Sequence, residues 1–246
     1  MRVLILGGTG EARALALALN GRVGIEFESS LAGRVTNPAL PVGAVRIGGF
    51  GGAAGLSSYL VDGGFTAVVD ATHPFAATIT ANAATACGSL ELPLVIVRRP
   101  GWISGSADDW RWVPDIGAAA ALVSSMEVGC VWLTTGRRDL AAFAGDDRHR
   151  YLVRTVDPPV GPVPQQMTLL LDRGPYSVTG EQALLTEHGV DVLVTKDSGG
   201  DMTSAKLVAA RERGIPVVVV ERPALPAGVK AVESVADALS WLDRML

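Results

Sequence analysis

Residues 2–13 read Arg2-Val3-Leu4-Ile5-Leu6-Gly7-Gly8-Thr9-Gly10-Glu11-Ala12-Arg13, and this stretch decides the fold class. Val3, Leu4, Ile5 and Leu6 form a short apolar run suited to a buried strand. Gly7, Gly8 and Gly10 make a tight turn, and an Ala/Leu-rich helical pattern follows over residues 10–20. A strand feeding a glycine turn and then a helix aims unpaired backbone N–H groups at one point, where a pyrophosphate can sit. A side chain in the turn would hold the phosphate away from the backbone. Gly8 and Gly10 match the first two positions of G-x-G-x-x-G, and Arg13 replaces the third glycine. The alternative is a strand-to-helix turn that binds nothing.

Outward from this turn, strand and helix patterns alternate to the end of the chain, as in parallel sheets covered on both faces. Strands are expected at residues 2–6, 22–28, 44–47, 66–70 and 93–97, with helices at 10–20, 52–62 and 75–87. Residues 98–114 interrupt the series with Pro100, Gly101, Trp102, Gly105, Trp110, Trp112 and Pro114. A second series follows, with strands near 129–134, 150–155, 190–195 and 216–220 and helices near 115–125, 137–144, 178–188, 202–213 and 234–244. The run Asp157-Pro158-Pro159-Val160-Gly161-Pro162-Val163-Pro164 reads as a rigid surface loop. The expected architecture is α/β: two Rossmann-like doubly wound parallel-sheet domains, residues 1–112 for a dinucleotide and 113–246 for substrate, with a cleft between them.

Composition narrows the function classes. The 246 residues are 48% apolar in short runs, none near the roughly 20 apolar residues of a membrane helix. The first strand begins at residue 2, so no secretory leader is expected and the location is read as cytoplasmic. Cys87 and Cys130 lie singly in apolar stretches, as buried thiols of a reducing compartment do; neither a disulfide nor a metal site is expected. A net charge of −4 argues against a nucleic-acid partner.

Candidate chemistry falls at the strand ends. After the second strand, Ser29, Ser30 and Arg34 suit a ribose 2′-phosphate, which favours NADP(H); Glu28 leaves open an acid binding the free ribose hydroxyls of NAD. Residues 68–76 read Val-Val-Asp-Ala-Thr-His-Pro-Phe-Ala, placing Thr72 and His73 at the sheet edge near a nicotinamide, with Pro74 in the first turn of the next helix. His73 is alternatively a turn histidine bonded to backbone, and Asn82, further along the helix, is either a packing residue or a contact. In the second half, Thr134-Thr135-Gly136-Arg137 and Lys196-Asp197-Ser198-Gly199-Gly200-Asp201 each follow a buried strand. Lys206, at a helix opening, opposes the helix dipole and is expected to seek an anion or shed its proton readily; the plainer alternative pairs it with Asp201 in solvent. Asp201 and Lys206 are the candidate proton-delivery pair, with His73 as a positioning donor beside the cofactor or substrate.

These segments together resemble the precorrin-6A reductase family, with the cobalt-precorrin-6A reductases as close relatives. The resemblance is carried by Gly7-Gly8-Thr9-Gly10-Glu11, Ser30-x-Ala32-Gly33-Arg34, the Asp70–Ala76 segment, Arg99-Pro100-x-Trp102, Thr135-Gly136-Arg137, Lys196-Asp197-Ser198-Gly199 and Val220-Glu221-Arg222-Pro223. It implies NADPH-dependent reduction of one carbon–carbon double bond in a contracted tetrapyrrole, precorrin-6A to precorrin-6B, within cobalamin biosynthesis. Gly8, Thr9, Gly10, Glu11, Ser29, Ser30, Arg34 and Thr72 then become cofactor-binding candidates. Arg99, Gly136, Arg137, Lys196, Ser198 and Gly199 become substrate-binding candidates, because the macrocycle's many carboxylates call for local cations. Arg98, Arg138 and Arg154 lie near strand ends as well, and the tryptophans between 102 and 112 either face the macrocycle or pack the connection. Two rivals share the opening turn. A short-chain dehydrogenase or epimerase needs Tyr-x-x-x-Lys, yet Tyr59, Tyr151 and Tyr176 are followed four residues on by Gly63, Thr155 and Gly180. A non-catalytic NAD(P)-binding redox sensor would not need the polar strand ends of the second half.

Overall fold

The computed structural model describes residues 1–246, which fold as two compact units. Unit 1 comprises Met1–Pro100 and Pro223–Leu246; unit 2 is Gly101–Arg222. In unit 1 the order is β1 (Arg2–Leu6), α1 (Gly10–Leu19), β2 (Glu26–Leu31), β3 (Ala44–Ile47), α2 (Ala53–Asp62), β4 (Ala67–Asp70), α3 (Ala77–Ser89) and β5 (Leu94–Val97). Unit 2 runs β6 (Trp110–Val113), α4 (Ile116–Ser125), β7 (Cys130–Leu133), a 3-10 turn (Leu140–Phe143), β8 (Arg150–Thr155), β9 (Met167–Leu171), α5 (Val178–His188), β10 (Val192–Lys196), a 3-10 turn (Asp201–Thr203), α6 (Ala205–Glu212) and β11 (Val217–Val220). The chain ends, back in unit 1, with β12 (Lys230–Val232) and α7 (Val235–Asp243).

Each unit holds one six-stranded sheet, ordered β12-β5-β4-β1-β2-β3 in unit 1 and β6-β11-β10-β7-β8-β9 in unit 2. Every pairing is parallel. β1 shows why the central strands lack polar alternation. Val3 and Ile5 pack with Leu15, Leu19, Trp241 and Leu242 on one face, while Leu4 and Leu6 pack with Leu56, Leu60, Ala83 and Cys87 on the other. A strand buried on both faces needs an apolar residue at every position. In each sheet the strand order reverses direction once at the centre, between β1 and β4 and between β7 and β10. Ligands of open α/β sheets bind beyond the carboxyl ends of strands at such a point.

Four helices open on a side chain that accepts the N–H three residues on: Thr9 from Ala12, Asp115 from Ala118, Ser177 from Gly180 and Ser234 from Asp237. α5 closes on Gly189 at φ 58°, a left-handed stop that glycine adopts without strain. Cys87 and Cys130 are buried free thiols, as expected. No helix is long and apolar enough to cross a membrane.

The structure departs from the sequence reading in places. A boundary at 112/113 leaves out the return of the chain: Ala231 pairs with Ile96, so β12 completes the sheet of unit 1 and α7 packs with α1. Conversely, β6 pairs with β11 and belongs to unit 2, although its Trp-Arg-Trp-Val sequence lies in the turn-rich connection. β9, after the proline loop, was also missing from the pattern; β6, β9 and β12 are edge strands, half-exposed and short, and so carry little apolar signal. The helix expected over 137–144 is a single 3-10 turn.

Candidate active site

At the switch point of unit 1, the glycine turn is tied down from below. Thr9 Oγ1 donates to the Ala71 carbonyl at 2.7 Å and accepts from Ala12 N at 3.1 Å, so one hydroxyl caps α1 and joins it to the end of β4. Gly8 sits at φ 117°, and a Cβ built there meets nothing within 4 Å. The position therefore opens onto free space in a conformation that disfavours side chains. Gly7 is different: its Cβ would lie 3.2 Å from Ala12 Cβ and 3.4 Å from Leu31, so it lets the helix pack close to the sheet. Gly10 is the first residue of α1, and Glu11 follows it in the first turn. Burial opposes the charge on Glu11, but its own backbone N–H, Arg99 and Thr9 outweigh that and hold its carboxyl below the usual carboxylate range. Arg99 Nη1 reaches Glu11 Oε1 at 2.9 Å, so a cation expected to serve substrate lies beside the glycine turn.

β2 runs to Leu31, three residues beyond the expected end, because Leu31 still pairs with Ile47 of β3. Ser29 and Ser30 are therefore buried strand residues. Ser29 Oγ has no hydrogen-bond partner in the protein, whereas Ser30 Oγ accepts from Arg46 Nη1 at 3.3 Å. Arg46 also donates to the Gly48 and Gly49 carbonyls and lies over the Phe50 and Tyr59 rings. Glu28 stands inside the strand, accepting from the Tyr59 hydroxyl with Arg2 nearby at 3.6 Å, so it is engaged within the fold. Beyond the strand end, Arg34 is exposed.

At the end of β4, buried Asp70 accepts from Thr72 N at 3.0 Å, Thr72 Oγ1 at 2.6 Å and Thr80 Oγ1 at 2.6 Å. Thr72 is thus held by a carboxylate that links the strand end to α3. His73 Nδ1 accepts from Phe75 N at 3.2 Å, which assigns the ring proton of the neutral imidazole to Nε2. α3 begins at Ala77, so Pro74 lies in the preceding turn, which Ala76 N closes on the His73 carbonyl at 2.7 Å. Asn82 is a half-buried residue within α3.

The switch point of unit 2 is polar where that of unit 1 is glycine-rich. Thr135 is buried with an unpartnered hydroxyl, and Gly136 at φ 94° again faces open space. Lys196 Nζ pairs with Asp139 Oδ2 at 2.6 Å, joining the end of β10 to the start of the Leu140–Phe143 turn. Arg137 donates to the Pro158 carbonyl at 3.2 Å beside Asp157, on the proline loop. Asp197 is buried and accepts from Trp102 N at 3.0 Å and from Arg222 Nε at 2.8 Å, while Ser198 and Gly199 follow in the turn. A Cβ at Gly101 would stand 2.6 Å from Asp197 Oδ2, so that glycine is there for the carboxylate.

The proposed Asp201–Lys206 pair does not form. Asp201 is exposed in the 3-10 turn, and its carbonyl caps Ser204. Lys206 is buried, with Nζ donating to the Thr203 carbonyl at 2.7 Å and lying 4.9 Å from the Trp102 ring centre. Burial, then the nearby Arg154, push its ammonium down to about 7 against the pull of Glu181. Arg154 and Glu181 form a buried two-pronged pair at 2.6 and 2.9 Å, with Trp132 and Tyr176 on the guanidinium faces. Sequence reasoning gave no role to Arg46, Asp70, Asp197, Glu181 or Arg222. Asp70, Asp197 and Arg222 sit inside the quoted motifs, and Arg46 lies opposite Ser30 in the β2–β3 register.

A glycine turn at the switch point of one parallel sheet, and a lysine–threonine edge at that of another, define an α/β protein with a nucleotide-type turn and a second, polar strand-end site. The precorrin-6x reductase CbiJ/CobK family matches residues 2–243, and the chain belongs to this family. A precorrin-6A reductase of Rhodococcus erythropolis is 52% identical over 241 residues, covering 98% of this chain and 97% of its own. One of Mycobacterium tuberculosis is 54% identical over 242 residues, with the same coverages of 98% and 97%. The cobalt-precorrin-6A reductase of Priestia megaterium is 28% identical over 257 residues, covering 96% and 97%. The solved structure of a CobK precorrin-6A reductase superposes with a TM-score of 0.91 at 40% identity, covering 99% of this chain and 96% of that one.

Proposed function

We propose that this protein reduces one carbon–carbon double bond of precorrin-6A to give precorrin-6B, with NADPH as reductant. The observation that carries the reading is the open face of Gly8 above a capped α1, at the switch point of a chain that matches the family almost end to end. The residues fit a dinucleotide: Gly8 leaves room for a pyrophosphate, and Thr9 fixes the turn. Arg99 offsets the charge of Glu11 at the helix start. NADPH is preferred because Glu28, the acid that would suit NAD, is engaged by Tyr59 and Arg2, while Arg34 stands exposed past the strand end. Bound NADPH supplies the hydride. Unit 1 is assigned to the cofactor and unit 2 to the tetrapyrrole, whose carboxylates pair with Arg137 and Lys196 and accept hydrogen bonds from Ser198. His73 acts as a positioning donor through Nε2–H, and exposed Asp201 relays a proton from solvent to the carbon next to the reduced one. The cobalt-free substrate is favoured by identities of 42–54% to precorrin-6A reductases against 28–30% to cobalt-precorrin-6A reductases.

The test is anaerobic incubation of purified protein with precorrin-6A and either NADPH or NADH, following cofactor absorbance and product mass. Loss of NADPH with a gain of two hydrogens in the macrocycle is expected. Turnover with NADH alone, or none with either cofactor, overturns the assignment.

A further inference from the structure

The segment 197–203, which carries Ser198 and Gly199 and follows Lys196, contains two glycines in the left-handed region, Gly199 at φ 63° and Gly200 at φ 71°. Its only regular element is the 3-10 turn Asp201–Thr203, and three of its carbonyls, spaced three residues apart, are each held by a side-chain donor from outside the segment. Asp197 O accepts from Arg222 Nε at 2.9 Å, Gly200 O from Trp102 Nε1 at 2.9 Å and Thr203 O from Lys206 Nζ at 2.7 Å. The donors are themselves connected. Trp102 also gives its backbone N–H to Asp197 Oδ1, Arg222 grips the same carboxylate, and the Lys206 ammonium lies against the Trp102 ring. Behind Lys206, the buried Arg154–Glu181 pair sets the local charge, Arg154 repelling the ammonium and Glu181 attracting it.

We propose that Lys206, Trp102 and Arg222 are positioning residues that fix the shape of the 197–203 segment for tetrapyrrole binding, and that Lys206 acts there as a structural donor and not as the source of the proton. The geometry supports both halves. A side chain 5% exposed, with its nitrogen on a backbone carbonyl and its flank on an indole, has no path to a macrocycle that leaves the segment intact. A part-buried carbonyl stripped of its donor turns to water instead, so losing any one of the three donors loosens the turn that presents Ser198 and Gly199. The inference rests on the proposed function only for its kinetic readout.

The experiment compares wild type with Lys206→Met and Trp102→Phe. Each variant is assayed for KM and kcat with precorrin-6A, for NADPH affinity by direct titration, for the pH profile of kcat, and for amide hydrogen exchange. Expected are a rise in KM of roughly ten-fold or more, the value of one hydrogen bond involving a charged or buried group, and faster exchange confined to residues 197–204. NADPH affinity, the shape of the kcat profile and kcat itself, to within about three-fold, should stay as in wild type. A fall in kcat of about 10²–10⁴-fold in Lys206→Met, with KM unchanged and one limb of the pH profile lost, would make Lys206 the acid and overturn the proposal. So would unchanged KM and unchanged exchange in both variants. Trp102→Phe removes the N–H to the Gly200 carbonyl and part of the ring while leaving the Lys206 ammonium and its bond to Thr203 O in place, so it carries the test if Lys206→Met does not fold. If wild type itself fails to turn over precorrin-6A, the functional reading falls while the exchange comparison still decides the positioning role.

Discussion

Replacing Lys206 with methionine should change how stability responds to pH, by an amount the structure fixes. In the folded protein, burial lowers the ammonium from 10.5 to about 7. The unfolded chain keeps the ordinary value, so between these two values it binds a proton that the folded chain has released. Stability from this group is therefore fully present above 10.5 and is lost as the pH falls towards about 7. For those two constants, the wild type gains about 2 kcal/mol on Lys206→Met between about pH 7 and about pH 9. For a chain of this size that is about 4–8 °C in Tm. Lys206→Met also removes the donor to Thr203 O, but that loss is the same at every pH and cancels from the difference. Paired thermal melts of the two proteins across this range, with urea titrations at either end, measure it. A difference in stability flat to within about 0.5 kcal/mol over the window would refute the reasoning, because it would mean that Lys206 ionises in the folded state as it does in water.

Four further outcomes test the rest. Arg34→Ala should weaken NADPH binding by roughly ten- to a hundred-fold, as expected for lost hydrogen bonds to a charged group, while leaving NADH binding nearly unchanged; isothermal titration with both cofactors decides, and equal losses refute the 2′-phosphate role. Gly8→Val puts a branched side chain at φ 117° into the open space above α1, so NADPH affinity should fall by at least about ten-fold with native circular dichroism; normal binding would make the turn purely structural. His73→Asn keeps an acceptor for Phe75 N and an amide N–H directed from a shorter side chain, so measurable though reduced turnover should survive in a single-turnover assay, and its complete loss with binding intact would make His73 the acid. Glu181→Gln leaves Arg154 as a buried cation with half its partner, a change that costs about 3–5 kcal/mol when a buried pair is broken; a melting temperature close to wild type would show that water reaches the pair.

Much of the fold was readable because central parallel strands carry their signal in every residue. Val217-Val218-Val219-Val220 is buried at each position, and no other element type accommodates four consecutive β-branched residues so well at that length. The edge strands β6, β9 and β12 had no such signal. Trp110-Arg111-Trp112-Val113 buries only Val113 fully, and Lys230-Ala231-Val232 is too short to show a period, so the exchange of edge strands between the two halves of the chain could not be read locally. The site divides in the same way. Gly8 is legible because a glycine turn after an apolar run is a local motif, and Gly136 because it follows a buried strand; both take a positive φ in the structure. Arg46, Arg222 and Glu181 act through pairings across the sheet or between a helix and a strand, with Ser30, Asp197 and Arg154 respectively, and spacing along the chain carries no trace of them. Lys206 was found for a sound reason, its position at a helix start, and placed wrongly: its stem is buried, so the ammonium turns inward to Thr203 and Trp102 and leaves Asp201 in solvent.

The two sheets solve the same geometric problem with opposite chemistry, and the difference bears on what each can hold. Both reverse strand order at the centre, and both place a glycine over open space there, Gly8 in one and Gly136 in the other. In unit 1 the surrounding groups are backbone amides, a threonine cap and a neutralised Glu11–Arg99 pair, which suits an anion approached by main chain. In unit 2 the first helix turn after β10 is displaced by the 3-10 turn, and the edge carries Lys196, Ser198 and the unpartnered hydroxyl of Thr135. A lysine ammonium on a flexible stem adapts to carboxylates at varied spacing, which a rigid ring of amides does not. That flexibility has to be matched by a fixed base. The three carbonyl anchors on 197–203 supply it, and so the part of unit 2 that touches nothing in a ligand is as necessary to the proposed recognition as the part that does.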